Sequence, residues 1–214
     1  PALHSFYNAH GEWLKEHAPD ADLRKHTVPE EGPRHYIDFD QYATEFDSIT
    51  ALFPMAWEDA LERWNEDSIR QHGIGPWHAI RTYNNLVFAF EAQDEPLILR
   101  YSVDLAHYIA DLHVPLHTTS NYNGQLTNQV GIHALWETQV PERWMATYDL
   151  FPPIPGKSCN WIPDVSHFVW NFTIQSHALV PEVLEMELRT REALGPNEVD
   201  AYIPRGRTRT LMRT

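Results

Sequence analysis

From Pro96 to Leu112 the apolar residues Ile98, Tyr101, Leu105, Ile109 and Leu112 recur at steps of three and four, the spacing of one face of an amphipathic helix. Arg100, Asp104, His107 and Asp111 form a second stripe with the same steps. One face reads as core and the other as chemistry. A similar pattern predicts a long helix, or two, over Asp164 to Leu194. There Val165, Phe168, Val169, Phe172, Leu179, Val183 and Leu184 point inward, Pro181 allows a kink or restart, and Gly195-Pro196 ends the run. Further helices are predicted over Leu3–His17, Phe53–Gln71, Trp77–Ala92 and Gly131–Tyr148, the last open to interruption at Pro141. Strand signals reduce to short stretches such as Tyr36-Ile37. Thr118–Gln129, rich in Asn and centred on Asn123-Gly124, and the Pro-rich Phe151–Pro155 read as loops. The pattern predicts an all-α fold.

The chain has 214 residues, 43% of them hydrophobic, and no repeat or low-complexity run divides it. That is enough for one domain over residues 1–214 with a substantial core. Arg205, Arg207, Arg209 and Arg213 fall in a segment, 204–214, read as a solvated, flexible tail. No apolar run approaches the roughly 20 residues that span a bilayer, and the first residues lack the basic and apolar regions of a signal peptide. A single cysteine, Cys159, can form no internal disulfide and does not distinguish compartments. The formal net charge of −14 argues against a broad basic surface for duplex nucleic acid. It leaves room for phosphate chemistry at bound cations, whose carboxylate ligands themselves make a chain acidic.

Candidate chemistry lies on the polar stripes. Residues four apart on a helix share a face, so His107 with Asp111, and His133 with Glu137, are pre-aimed pairs of metal-binding groups. With 13 His and 30 acidic residues, random placement gives roughly 2 such pairs, and the chain has three. Context separates them. His26, paired with Glu30, sits between polar residues and before Pro29 and reads as surface, whereas the other two pairs lie in strong helical patterns. Between those two falls His117, at a Pro-marked helix end.

His107-x3-Asp111-x-His113-x-Pro115-Leu116-His117, an Asn/Gly loop and His133-x3-Glu137 together resemble the core signature of the zinc-dependent phospholipases C and the related single-strand-specific nucleases. Upstream, Pro19-Asp20 stands fifteen residues before His35-Tyr36-Ile37-Asp38, as a family aspartate precedes a short His-Tyr/Phe-Ile-Asp segment. The resemblance runs from about Asp20 to Glu137. It implies a helical phosphodiesterase in which Asp20, His35, His107 and Asp111 hold one zinc, and His117, His133 and Glu137 a second. Asp111 bridges to a third. Asp22 rivals Asp20, because Lys25 follows it at the family's three-residue spacing. Asp38 resembles the residue that aims or deprotonates the attacking water, the alternative being a hydrogen-bond partner of a ligand histidine.

The resemblance departs at the amino end. Family members open their mature chain on a Trp that binds the third zinc through its own amino group and carbonyl, with a His soon after. Here the residues begin Pro1-Ala2-Leu3-His4 and the first Trp is Trp13. His4 and His10 read as surface or packing residues. Two zinc sites are therefore expected, and the third is left open. His113 is assigned to packing or to orienting a ligand, His78 to a capping or buried polar role, and Asp104 to orienting His107 or pairing with Arg100. Asn121, Tyr122 and Asn123 of the polar loop, with Trp136 beside Glu137, are the candidate substrate contacts, since an aromatic face stacks on a base or holds a choline cation.

The implied activity is hydrolysis of a phosphoester by in-line attack of zinc-activated water. Phospholipase C-like chemistry is favoured by Glu137 and by the acidic composition. Single-strand-specific nuclease or 3'-nucleotidase activity is the alternative, since it needs stacking more than basic charge. A non-catalytic zinc-binding domain is a third reading. The expected partner is a phospholipid head group or single-stranded nucleic acid; no stable protein partner is evident. The resemblance implies a periplasmic or secreted protein.

Overall fold

The computed structural model describes residues 2–43, 49, 53–147 and 161–194. Among them the secondary structure is wholly helical, without a strand. In chain order the helices are α1 (Ala2–Ala9), α2 (Gly11–His17), α3 (Asp20–Arg24), α4 (Trp57–Arg63), α5 (Glu66–Gln71), α6 (Gly75–Ala92) and α7 (Glu95–His113). Helix α8 is composite, with α-helical Ile132–Ala134 and Val140–Trp144 on either side of a π turn, Leu135–Gln139. Helices α9 (Val165–Ala178) and α10 (Val180–Leu194) follow, and 3-10 turns occupy Gly32–His35, Phe39–Gln41 and Pro115–Thr118. The loop Phe151–Pro155, Cys159, the stop at Gly195-Pro196 and the tail 204–214 lie outside the described residues. No helix among the described residues is long and apolar enough to cross a membrane.

Several predicted helices are divided, each for a local reason. Leu3–His17 breaks at His10, which leaves helical geometry (φ −107°, ψ 11°) just before Gly11, a residue that weakens helix interiors. The Phe53–Gln71 helix begins only at Trp57 and is cut at Trp64-Asn65. Asn65 accepts hydrogen bonds from the backbone N–H of Asp67 (2.9 Å) and Ser68 (3.4 Å), so cap chemistry outweighs the apolar period. Pro141 has no N–H to donate to the Glu137 carbonyl four residues back, and the π turn lies directly before it. The long carboxy-terminal helix divides at Leu179, with Pro181 in the first turn of α10.

Tyr36-Ile37 forms no strand. Tyr36 is extended (φ −150°, ψ 171°), but among the described residues no strand pairs with it. The segment is instead tied to two helical elements: Ile37 N–H donates to the His117 carbonyl (2.9 Å) and Asp38 N–H to the His72 carbonyl (2.7 Å).

Helices α6 and α7 form the most extensive helix pair, and α9 packs against both. Gln93 ends α6 in the left-handed region (φ 55°), and Asp94 starts α7 by accepting from Leu97 N–H (3.1 Å). Ala79, Tyr108, Leu112 and Val169 close the layer between these helices. A second, aromatic core gathers Phe39, Trp77 and Trp170 with Phe53 against them. Trp170 is fully buried, and its ring lies 5.0 Å from Phe53 and 4.9 Å from Trp77. Truncating such a residue costs about 3–5 kcal/mol.

One crossing fixes the site. Residues 33–38 pass over the start of α6, where Ile74 N–H donates to the Pro33 carbonyl (2.7 Å) and Gly75 N–H to the Tyr36 carbonyl (3.0 Å). Gly73 turns the chain with φ +91°, and a Cβ there would lie 2.2 Å from the Tyr36 carbonyl oxygen. Only glycine admits both the dihedral and the approach. The crossing lays His35 against α7.

Candidate metal centre

Helix α7 carries His107 and Asp111 one turn apart, the crossing segment adds His35, and α3 adds Asp22. Asp111 Oδ2 lies 2.7 Å from His35 Nδ1 and 3.3 Å from His107 Nε2. The two imidazole nitrogens are 3.2 Å apart. Asp22 Oδ1 is 3.6 Å from His107 Nε2 and 3.8 Å from His35 Nδ1. Asp22, His35 and His107 thus form a group able to hold a metal ion, with Asp111 against both histidines. Two imidazole nitrogens facing each other at this distance need a proton or a cation between them.

A second group, His117, His133 and Glu137, can hold another ion. The 3-10 turn after α7 carries His117, and α8 carries the other two, with Glu137 inside the π turn. His117 Nε2 is 2.9 Å from Glu137 Oε1, and His133 Nε2 is 3.0 Å from Oε2. His117 Nε2 is nevertheless buried without an aligned hydrogen bond among the described residues. Two imidazole nitrogens and a carboxylate whose ligand atoms all lie within 4.8 Å of one another have the composition and spacing of a ligand set. The His117 and His133 rings stack at 5.1 Å.

The two groups are mechanically linked. His117 Nδ1–H donates to the His35 carbonyl (2.7 Å), which fixes the tautomer that presents Nε2 to the second group. Behind His35 stands Glu31, whose Oε1 lies 3.6 Å from the buried Nε2, close enough for charge but without a hydrogen bond, while Nδ1 faces the first group. Glu31 is fully buried. It accepts from Tyr108 OH, from Arg34 Nη1 (2.6 Å) and from Arg24 Nη2 (3.2 Å).

Charge explains the ionisation of each member. Burial pushes the Asp22 and Asp111 carboxyls up, but hydrogen bonds from His107, with Lys25 on Asp22 and His35 on Asp111, hold both well below the usual carboxylate range. Burial lowers His107, and Asp111 and Asp22 outweigh it and push it up to about 10. His117 is likewise raised, burial being overcome by Glu137 and Asp111. Glu137 is held at about 2, where His117 and His133 outweigh its burial. In the absence of a cation, these groups hold protons where metal ligands hold metal.

Of the two upstream aspartates, the structure brings Asp22 to the histidines; Asp20 contributes no atom to either group among the described contacts. The two stand two positions apart on α3, and residues so spaced do not share a helix face. Asp38 is buried, and its Oδ2 lies 3.8 Å from His72 Nδ1. The loop residues divide. Asn121 is buried, accepting from Leu126 N–H (2.7 Å) and donating to Thr127 Oγ1 (3.0 Å), and Asn123 Oδ1 accepts from Gly131 N–H (3.0 Å). Both carboxamides brace the loop. Tyr122 sets its ring edge-on to His133 at 5.9 Å, and Trp136 is 42% exposed beside Glu137, so these two border the second group.

The remaining histidines lie apart from the two groups. His113 stacks on Phe172 at 4.1 Å and hydrogen-bonds the Ile109 carbonyl. His10 pairs with Glu95 (3.4 Å), His4 with Asn8 (3.3 Å), and His26 is exposed. Asp104 pairs with Arg100 (3.0 Å), and also with Arg24 (2.9 Å), which carries it into the Glu31 network. Sequence reasoning missed Glu31. Its local cues are Arg34 three residues on, a pairing as common on surfaces as in cores, and His35 four residues on.

No protein-family model, curated protein or solved structure matches this chain.

Proposed function

We propose that the chain is a zinc-dependent phosphodiester hydrolase of the phospholipase C and single-strand nuclease type. The observation that carries this reading is the pair of adjoining ligand groups, Asp22, His35, His107 and Asp111 beside His117, His133 and Glu137. Imidazole nitrogens and carboxylate oxygens without thiolate fit zinc, and the orphaned Nε2 of buried His117 gains a partner when a cation binds. Zinc there supplies positive charge against phosphate oxygens and lowers the pKa of water toward about 7.

The protein's own groups prepare that chemistry. Asp111, His35 and His107 would hold the first cation, with the Glu31 carboxylate 3.6 Å behind the His35 ring on its Nε2 side. His117 Nδ1–H, spent on the His35 carbonyl, keeps Nε2 unprotonated once the competing proton leaves. Asp38 is assigned to accepting the water proton by the resemblance, a role that Asp38→Asn tests: kcat falls while zinc content stays unchanged. Phospholipase C-like specificity is the first reading, with Glu137 as the carboxylate of the second group. The exposed Trp136 indole favours a nuclease as the second, because an aromatic face there can stack on a base.

Hydrolysis of a phosphocholine ester compared with that of single-stranded DNA, by zinc-loaded protein, tests both readings. Turnover of the ester alone supports the first, and turnover of DNA alone supports the second. Stoichiometric zinc without turnover of either sinks both and leaves a non-catalytic zinc domain. Loss of at least one zinc per chain in Asp111→Asn tests the ligand assignment separately.

A further inference from the structure

A cavity of about 510 Å³ is lined by Arg34, Arg70 and Arg81 together with Trp57, Trp77 and His78, and includes none of the residues of the two metal groups. The chain carries 30 acidic residues and 16 Lys or Arg, about two acids per base. Three arginines and one acid, Glu58, line it; Arg34 and Arg70 each also pair with an acid outside the lining, Glu31 and Glu66, and Arg81 does not among the described residues. We propose that this cavity is a binding site for a phosphate dianion, separate from the metal centre.

Each guanidinium has donors to spare. A guanidinium offers five N–H groups in a planar fork that matches phosphate oxygens. Arg34 gives Nη1 to Glu31, and Arg70 gives Nε and Nη2 to Glu66. Arg81 is exposed, and no hydrogen bond ties it among the described residues. Trp77 is 7% exposed, and its indole Nε1–H is buried without an acceptor among the described residues. An unpartnered buried donor is costly unless a ligand or water satisfies it. The first turn of α6, an 18-residue helix, supplies Trp77 and His78, so the positive end of its dipole adds to the field. Burial, with Arg34 and Arg81 nearby, pushes His78 down to about 3. It is neutral at pH 7 and offers one ring N–H. Trp57 and Trp77 meet edge-on at 5.5 Å, and Arg70 lies over Trp57 at 5.7 Å, giving the pocket a stiff aromatic wall.

The test is calorimetric titration of inorganic phosphate into the intact protein as isolated with its metal, at pH 7.5. Arg81→Gln removes one charge-assisted contact, which weakens binding about tenfold or more. Asn84→Asp, at an exposed position on the cavity lining, introduces a like charge and also weakens it. Neither position is part of the core. Asp111→Asn, checked for retained helix content by circular dichroism, disturbs the metal centre and leaves this binding in place. The proposal is overturned if phosphate binds both cavity variants as tightly as the parent. It is equally overturned if folded Asp111→Asn loses all phosphate binding, or if the parent shows no saturable binding.

Discussion

Glu31→Gln isolates the buried carboxylate that organises one side of the metal centre. The substitution keeps the shape but removes the charge, and it turns an amide donor toward donors. Oε2 accepts from Arg34 Nη1 (2.6 Å) and Arg24 Nε (3.3 Å), and Oε1 from Arg24 Nη2 (3.2 Å) and Tyr108 OH. Removing one partner of a buried ion pair costs about 3–5 kcal/mol. Two features reduce that here. The Arg24 and Arg34 side chains keep 19% and 28% of their surface in solvent, and Asp104 still accepts from Arg24 (2.9 Å). The expected loss is about 2–3 kcal/mol, or about 5–10 °C in Tm for a chain of this size.

Urea and thermal unfolding at pH 7 measure it, with exposed Glu30→Gln as the control that leaves stability unchanged. The pH dependence has a fixed sign. Burial raises the Glu31 carboxyl, but His35, Tyr108 and Arg24 hold it well below the usual value of 4.5. A depressed carboxylate contributes fully above its unfolded pKa and loses that contribution as pH falls toward the folded one. The gap between parent and variant therefore stays constant above about pH 4.5 and closes below it. A loss smaller than about 0.5 kcal/mol, or a gap that widens in acid, refutes the assignment of Glu31 as an ionised anchor.

Asp22→Asn lowers zinc content measured by atomic emission, while Asp20→Asn and His26→Ala leave it unchanged; the reverse ranking overturns the choice between the two aspartates. Zinc binding at pH 7 releases protons, because His107, raised to about 10, must surrender its proton to become a ligand. Calorimetry in two buffers of different ionisation enthalpy counts them, zinc affinity falls as pH is lowered, and a binding enthalpy independent of buffer contradicts this. Gly73→Ala strains a φ of +91° and drives a methyl to 2.2 Å from the Tyr36 carbonyl, so it destabilises by about 2 kcal/mol or more. A variant as stable as the parent by urea unfolding shows that the crossing segment is not fixed there.

The chain reveals those parts of the site whose atoms share one helix. His107 and Asp111, or His133 and Glu137, are legible because a four-residue step places both on one face whatever the rest of the fold does. Likewise α6 and α7 are legible because 18 and 19 residues repeat the apolar period several times. The 3-10 turns at Gly32–His35 and Pro115–Thr118 are four residues each, too short to show a period, yet they deliver His35 and His117. Asp20 and Asp22 differ only in helical phase, and sequence spacing to His35 cannot set the phase of a five-residue helix. Glu31 is hidden for another reason. Tyr108 stands 77 positions away, so only the folded crossing brings the two together. A histidine becomes a ligand when its other nitrogen is also committed. For His117 that second nitrogen donates to the His35 carbonyl, whereas His35 Nε2 is buried 3.6 Å from Glu31 Oε1 without a hydrogen bond, so charge across that gap, from the least legible residue of the site, is what acts on one of its most legible ones.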